Sequence, residues 1–192
     1  NTVETNLQMR TANAKVKAKG EDADKTLTRN AAGNTANTLT SVDGGTVAGD
    51  IAVTNAKSTV TVADAFTGTG EVKVTTADDD AVASNFGAST TGTRVVDATA
   101  MSTASKALTL TGADVVTLTS TNAAINASSY SGQIDATVTN TVDTNLQIGT
   151  ANATVKAKGE DADKTLTLNA AANTAETLKM GDDGTGDGDI GV

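Results

Sequence analysis

The chain has 192 residues, long enough for one or two domains, yet it holds no Trp, one Tyr (Tyr130) and two Phe (Phe66, Phe86), so any core is built without the usual aromatic mass. The absence of Cys, His and Pro rules out a disulfide framework and Cys-based zinc sites, and removes the commonest general base and metal ligand. A formal charge of -9 argues against nucleic acid and anionic membrane as partners, because both require basic patches, and no apolar run is long enough for membrane insertion.

In chain order, Thr5–Met9 and Ala14–Lys19 alternate small or apolar residues with polar ones, as a half-buried strand requires. Gly20–Asp24 reads as a turn, Lys25–Thr28 and Thr38–Thr40 as strands, and Asp43-Gly44-Gly45 as a closing turn. The Ala-rich stretch Ala31–Ala36 admits a short helical turn. Further strands follow at Asp50–Val53, Ser58–Val62 and Glu71–Thr75, set off by Gly, Asn or Asp. The acidic run Asp78–Asp80 then leads into Ala81–Phe86, the one part of the middle that admits a short helix. Thr93–Asp97, Ala107–Thr111, Val115–Thr119, Ala124–Asn126 and Gln133–Val138 complete the series.

Residues 140–192 then restate residues 1–53 without a gap, identical at 39 of 53 positions, with residues 54–139 as a unique middle. The apolar skeleton is kept: Val3, Leu7, Val16, Leu27, Leu39 and Ile51 return as Val142, Leu146, Val155, Leu166, Leu178 and Ile190. Changes fall mostly on residues that would face water: Arg10 becomes Gly149, Lys15 becomes Thr154, Asn37 becomes Glu176 and Thr40 becomes Lys179. Arg29 becomes Leu168, which suggests a position that is wet in one copy and covered in the other.

Many short strands at regular spacing specify an all-β fold. The expected form is an irregular β-solenoid resembling a parallel β-helix or β-roll, with tandem Ig-like β-sandwich domains as the alternative. A sandwich usually buries aromatics, whereas solenoid coils need only Ala, Val, Leu, Thr and Asn stacked on their counterparts.

Acidic, Gly-rich turns are the only candidate chemistry. Asp182, Asp183, Asp187 and Asp189 lie within Gly181–Ile190, where Gly lets the backbone wrap a hard cation, and Ca2+ takes six to eight such oxygens. The first copy keeps Asp43 and Asp50 but has Gly44 and Ala48 at the other two places, so a site there is weaker or absent. Solvated turn residues are the plain alternative, and more so for Asp78–Asp80. Thr-x-Thr pairs, such as Thr109/Thr111 and Thr117/Thr119, fit an ice-ordering hydroxyl face but also simply favour strands. The glycosylation sequons at Asn126 and Asn152 are read as incidental. With no His and no Trp to stack sugars, enzyme activity is not expected.

The segments Val96-Asp97-Ala98-Thr99-Ala100 and Ile125-Asn126-Ala127-Ser128-Ser129, each with a later Gly and strand, resemble units of bacterial RTX-type S-layer and related giant surface proteins. The acidic, Thr-, Ala-, Asn- and Gly-rich, Cys-free composition is similar to theirs as well. That resemblance implies an exported, calcium-stabilised β-solenoid on the bacterial cell surface. The expected role is a structural segment that self-assembles with copies of itself into a surface layer or filament, with cell-surface polysaccharide as a further partner. The alternative is a stalk or ligand-binding module of a large adhesin, with glycan or ice as ligand. Because the sequence opens at Asn1 without Met, it reads as a mature or excised piece of something longer.

Overall fold

The computed structural model describes residues 5–8, 14–18, 26–32, 36–41, 49–62, 69–77, 82–86, 93–101, 107–148, 152–159, 164–169, 176–180 and 189–191. Every regular element among them is a strand. The first nine are β1 (Thr5–Gln8), β2 (Ala14–Ala18), β3 (Thr26–Asn30), β4 (Ala36–Ser41), β5 (Asp50–Ala56), β6 (Thr59–Val62), β7 (Val72–Thr76), β8 (Val82–Phe86) and β9 (Arg94–Ala98). They are followed by β10 (Ala107–Gly112), β11 (Val116–Thr121), β12 (Ala124–Tyr130), β13 (Ile134–Asn140), β14 (Thr144–Ile148), β15 (Ala153–Gly159), β16 (Thr165–Asn169), β17 (Glu176–Met180) and β18 (Asp189–Gly191).

The odd-numbered strands form one nine-stranded sheet and the even-numbered strands a second, each in chain order and parallel throughout. Each strand therefore pairs with the next but one, and two successive strands make one coil. The fold is an all-β, parallel β-solenoid. Its coils are irregular: Leu108 pairs with Ile125, 17 residues on, whereas Val82 pairs with Leu108, 26 residues on. This variation is why no fixed period runs through the sequence.

Strand alternation places the core between the sheets. In β11, Val116, Leu118 and Ser120 are buried while Thr117 and Thr119 are exposed; β14 shows the same pattern, with Thr144, Leu146 and Ile148 inside. Inward residues stack in columns along the axis: Val53, Val74, Val96, Leu118, Ala136 and Val155 stand in register across six successive coils. All six are buried. Burying a Val or Leu side chain contributes about 1.5–3 kcal/mol, and a column of Val, Leu and Ala meets the need for tight packing without aromatics. Parallel sheets are usually covered on both faces; here the outer faces meet water, as a solenoid allows.

The two copies of the repeat occupy opposite sheets. The copy of β1 is β14, that of β2 is β15, and those of β3, β4 and β5 are β16, β17 and β18, so every copied strand changes sheet. The register is nevertheless the same: Leu7↔Arg29 recurs as Leu146↔Leu168, Val16↔Leu39 as Val155↔Leu178, and Leu27↔Ile51 as Leu166↔Ile190. One stretch of sequence thus specifies the same pairing in either sheet.

Three sequence expectations are corrected. Val82–Phe86 is strand β8, held between β6 and β10 with Val82 and Ser84 buried, because in-register neighbours on both sides supply the backbone bonds a lone helical turn would have to make itself. No helix forms in the described part of Ala31–Ala36, where Ala31 is buried, Ala32 is in a turn and Ala36 opens β4. Arg29 is not on a wet face: it is 0% exposed and its counterpart Leu168 2%, since both hold inward positions next to Leu7 or Leu146.

Candidate functional site

Among the described residues, Asp50, Asn122 and Asp143 stand at corners of the coils. Asp50, the first residue of β5, accepts the Glu71 N–H on Oδ1 at 2.8 Å, one coil ahead. Asp143, just before β14, does the same for the Thr165 N–H at 3.0 Å. Asn122, held at a φ of 61°, exchanges two bonds with Thr141: its Nδ2 donates to Oγ1 at 2.8 Å and its Oδ1 accepts the backbone N–H at 2.7 Å. Asn tolerates this left-handed backbone better than most residues. These side chains satisfy strand-end donors of the next coil, which would otherwise lack a partner.

Of the six Asp residues expected to bind metal, Asp50 is therefore engaged with a neighbouring amide, and Asp189, its copy, opens β18 in the opposite sheet beside Thr165. Asp43, Asp182, Asp183 and Asp187 lie outside the described residues, as do Asp78–Asp80. Among the described residues, no three Asp or Glu side chains come together in a group able to hold a metal ion.

The Asp/Asn-Ala-Ser/Thr segments share one local geometry. Asp97 Oδ1 accepts both the Thr99 hydroxyl at 2.7 Å and its N–H at 3.3 Å, and Asn126 Oδ1 accepts the Ser128 hydroxyl at 2.7 Å and its N–H at 3.1 Å. In β12 this turn lies where the register with β10 slips, so it stitches a β-bulge. Partial burial pushes the Asp97 carboxyl up, but the Thr99 bonds and the Lys73 ammonium at 3.5 Å outweigh it and hold the group below its ordinary value.

Sequence reasoning missed a buried polar cluster at mid-length. Arg94, 0% exposed, occupies an inward column between Val72 and Val116, and its Nε donates to Asp114 Oδ2 at 2.9 Å. The Tyr130 hydroxyl donates to the Asp114 carbonyl at 2.6 Å. Gly132 completes the corner, for a Cβ there would lie 2.2 Å from the Asp114 carbonyl oxygen. A signal was present: Arg94 alternates with Val96 and Ala98, and that spacing alone points it inward.

Burial and the nearby Asp114 carboxylate push the Tyr130 phenol well above its ordinary value of 10.0, against a smaller opposing pull from Arg94. Because the folded value exceeds the unfolded one, Tyr130 contributes stability that is complete below pH 10 and is lost as pH rises above it. Tyr130 is the sole Tyr and there is no Trp, so phenolate absorbance near 295 nm reports it alone. That absorbance is expected to stay flat through pH 10 and to rise together with loss of the β signal in circular dichroism. Phenol ionisation near pH 10 in the folded chain would contradict the burial.

On the outer face of the odd sheet, Thr75, Asp97, Thr119, Thr137 and Lys156 share one column, and Lys73, Val95, Thr117, Asp135 and Thr154 the next. Charged residues thus interrupt the Thr rows. On the even sheet Asn126, Gln147 and Asn169 stand in register as a row of exposed amides.

Among the described residues, β1 and β2 are the first strands of the two sheets and β17 and β18 the last. No family model, curated protein or solved structure matches the chain.

Proposed function

We propose that this chain is a structural segment of a bacterial extracellular repeat protein, which does no catalysis and works by assembling with copies of itself into a surface layer or filament. The observation that supports this reading is the pair of parallel sheets built from a repeat that keeps its register in either sheet. Calcium at the acidic turns, Asp182–Asp189 above all, adds stability, and cell-surface polysaccharide is a further partner in this reading. The test is electron microscopy and sedimentation of the purified chain over rising concentration, with and without a calcium chelator. Ordered sheets or filaments are expected, with chelation lowering the melting temperature. A chain that stays monomeric at every concentration sinks the assembly reading; unchanged assembly and melting after chelation sink the calcium part.

A second reading, a ligand-binding stalk of an adhesin, is favoured by the exposed amide row Asn126, Gln147 and Asn169, which suits sugar hydroxyls. Glycan binding by a monomer would favour it; the charged breaks in the Thr columns weigh against ice as the ligand.

A further inference from the structure

We infer that two copies of this chain meet face to face through the outer surface of the even sheet, over the strands from β4 to β16. This rests on the self-assembly reading and names the surface that carries it.

The two sheets differ in charge. In the even sheet the seven strands from β4 to β16 contain no Asp, Glu, Lys or Arg, although such residues make up 19% of the chain. In the odd sheet every strand from β3 to β17 except β11 contains at least one. Arg29 and Arg94 are buried there, but Asp50, Lys73, Asp97 and Asp135 reach the outer face. Strand propensity disfavours charged residues in general, yet it acts on both sheets alike and cannot clear only one of them. A face that meets water alone has no reason to exclude charge, whereas a face that is covered does, because each charge would have to be desolvated.

Hydroxyls and amides take the place of charge. Thr109, Asn126, Gln147 and Asn169 stand in one register column, and Asn145 and Thr167 stand side by side in the next. Thr109 is half-buried and the other five are exposed. An amide donates and accepts alike, so a row of amides meets its own image without a mismatch. The strands of both copies repeat about every 4.8 Å, so two such faces stay in step along their whole length.

Charge also selects this face over the other. At a net charge of -9 two copies repel at a distance, and a contact between odd faces adds the desolvation of carboxylates and ammonium groups. Even faces meet with nothing charged between them. Asp143 and Lys164, just before β14 and β16, keep charge at the rim of the sheet, where an interface tolerates it. Seven strands about 4.8 Å apart and about five residues long cover roughly 30 by 16 Å, so two faces bury about 1,000 Å² together, the lower limit for a specific contact. The pairing is therefore two-fold, weak and reversible.

The experiment compares three forms of the 192-residue chain: wild type, the even-face variant Asn126→Asp/Asn169→Asp, and the odd-face variant Thr137→Asp/Thr139→Asp, which adds the same charge. Asp97 already makes with Thr99 the turn that Asn126 makes with Ser128, so the fold accepts the first exchange. Circular dichroism checks folding, and sedimentation equilibrium at low and high salt reads association. Wild type is expected to pair as tightly at high salt as at low, since the contact holds no ion pair to screen. The even-face variant is expected to pair at least about tenfold more weakly, as its new carboxylates lose water without gaining a partner. The odd-face variant is expected to stay within about twofold of wild type, because its added charge remains in water. Equal behaviour of the two variants, whether both pair or neither does, overturns the even-face contact and leaves self-assembly through another surface. A wild type that is monomeric at every concentration overturns both. If that monomer binds a neutral glycan and the even-face variant does not, the face belongs to the glycan and not to a second copy.

Discussion

Asp114→Ala is expected to lower the unfolding free energy by about 3–5 kcal/mol, because it removes the carboxylate opposite a guanidinium that the core still buries. Arg94 sits in an inward column between Val72 and Val116 and is 0% exposed, so water cannot take the place of Asp114 without opening two coils. The double variant Arg94→Met/Asp114→Leu separates charge from packing. Replacing both ends of a buried pair with apolar groups is often neutral or stabilising, so it is expected to recover most of the loss. Urea melts followed by circular dichroism measure both. If Asp114→Ala costs less than about 1 kcal/mol, the pair is in contact with water and the cluster is wrongly placed.

Gly132→Ala is expected to cost about 3 kcal/mol, at the upper end of the overpacking range. Its added carbon would meet the Asp114 carbonyl oxygen at 2.2 Å and the Ala113 carbonyl oxygen at 2.5 Å, both backbone atoms of the previous coil that cannot rotate aside. The corner would have to open, which also strains the 2.6 Å bond from the Tyr130 hydroxyl to Asp114. The nearby Ser131→Ala, at an exposed position, is the control and is expected to stay within about 0.5 kcal/mol of wild type. Equal melting of the two variants would show that the coils stack less closely at this corner.

How much of this was legible beforehand follows from what each residue can report about itself. Alternation in Val116–Thr121 and Thr144–Ile148 marks strands with one wet face, and scarce aromatics point to thin coils and away from sandwiches. Val82–Phe86 was obscured because its alternation is carried by Val82 and Ser84, and a buried Ser looks like a surface residue when read alone. Arg29 misled because a charged side chain reads as wet until the register shows which column it occupies. The change of sheet between copies was out of reach. It depends on an even number of strands, twelve, lying between β1 and β14, and coils of unequal length hide that number from any periodicity.

The candidate site was legible only in kind. Asp50 and Asp143 do stand at corners, but local pattern cannot say whether a carboxylate faces a cation or a neighbouring amide, and each takes the amide of the next coil. The same pattern explains why Asn and Asp are so frequent in a chain without Pro. Each coil must turn twice, and short polar side chains that reach the next backbone make the turn while closing its hydrogen bonds.

The central claim is that strands pair with the next but one, which follows from the solenoid and is denied by any sandwich of hairpins. Because the chain has no Cys, engineered pairs report pairing without background. Thr119 and Thr137 stand in register on β11 and β13, and adjacent strands lie about 4.8 Å apart, within disulfide reach. Thr119 and Asn126 would face each other only if β11 and β12 formed a hairpin; here they stand exposed on different sheets. Under mild oxidation Thr119→Cys/Thr137→Cys is expected to cross-link within the monomer and Thr119→Cys/Asn126→Cys to remain reduced. The opposite outcome, a linked hairpin pair beside a free next-but-one pair, would contradict the solenoid.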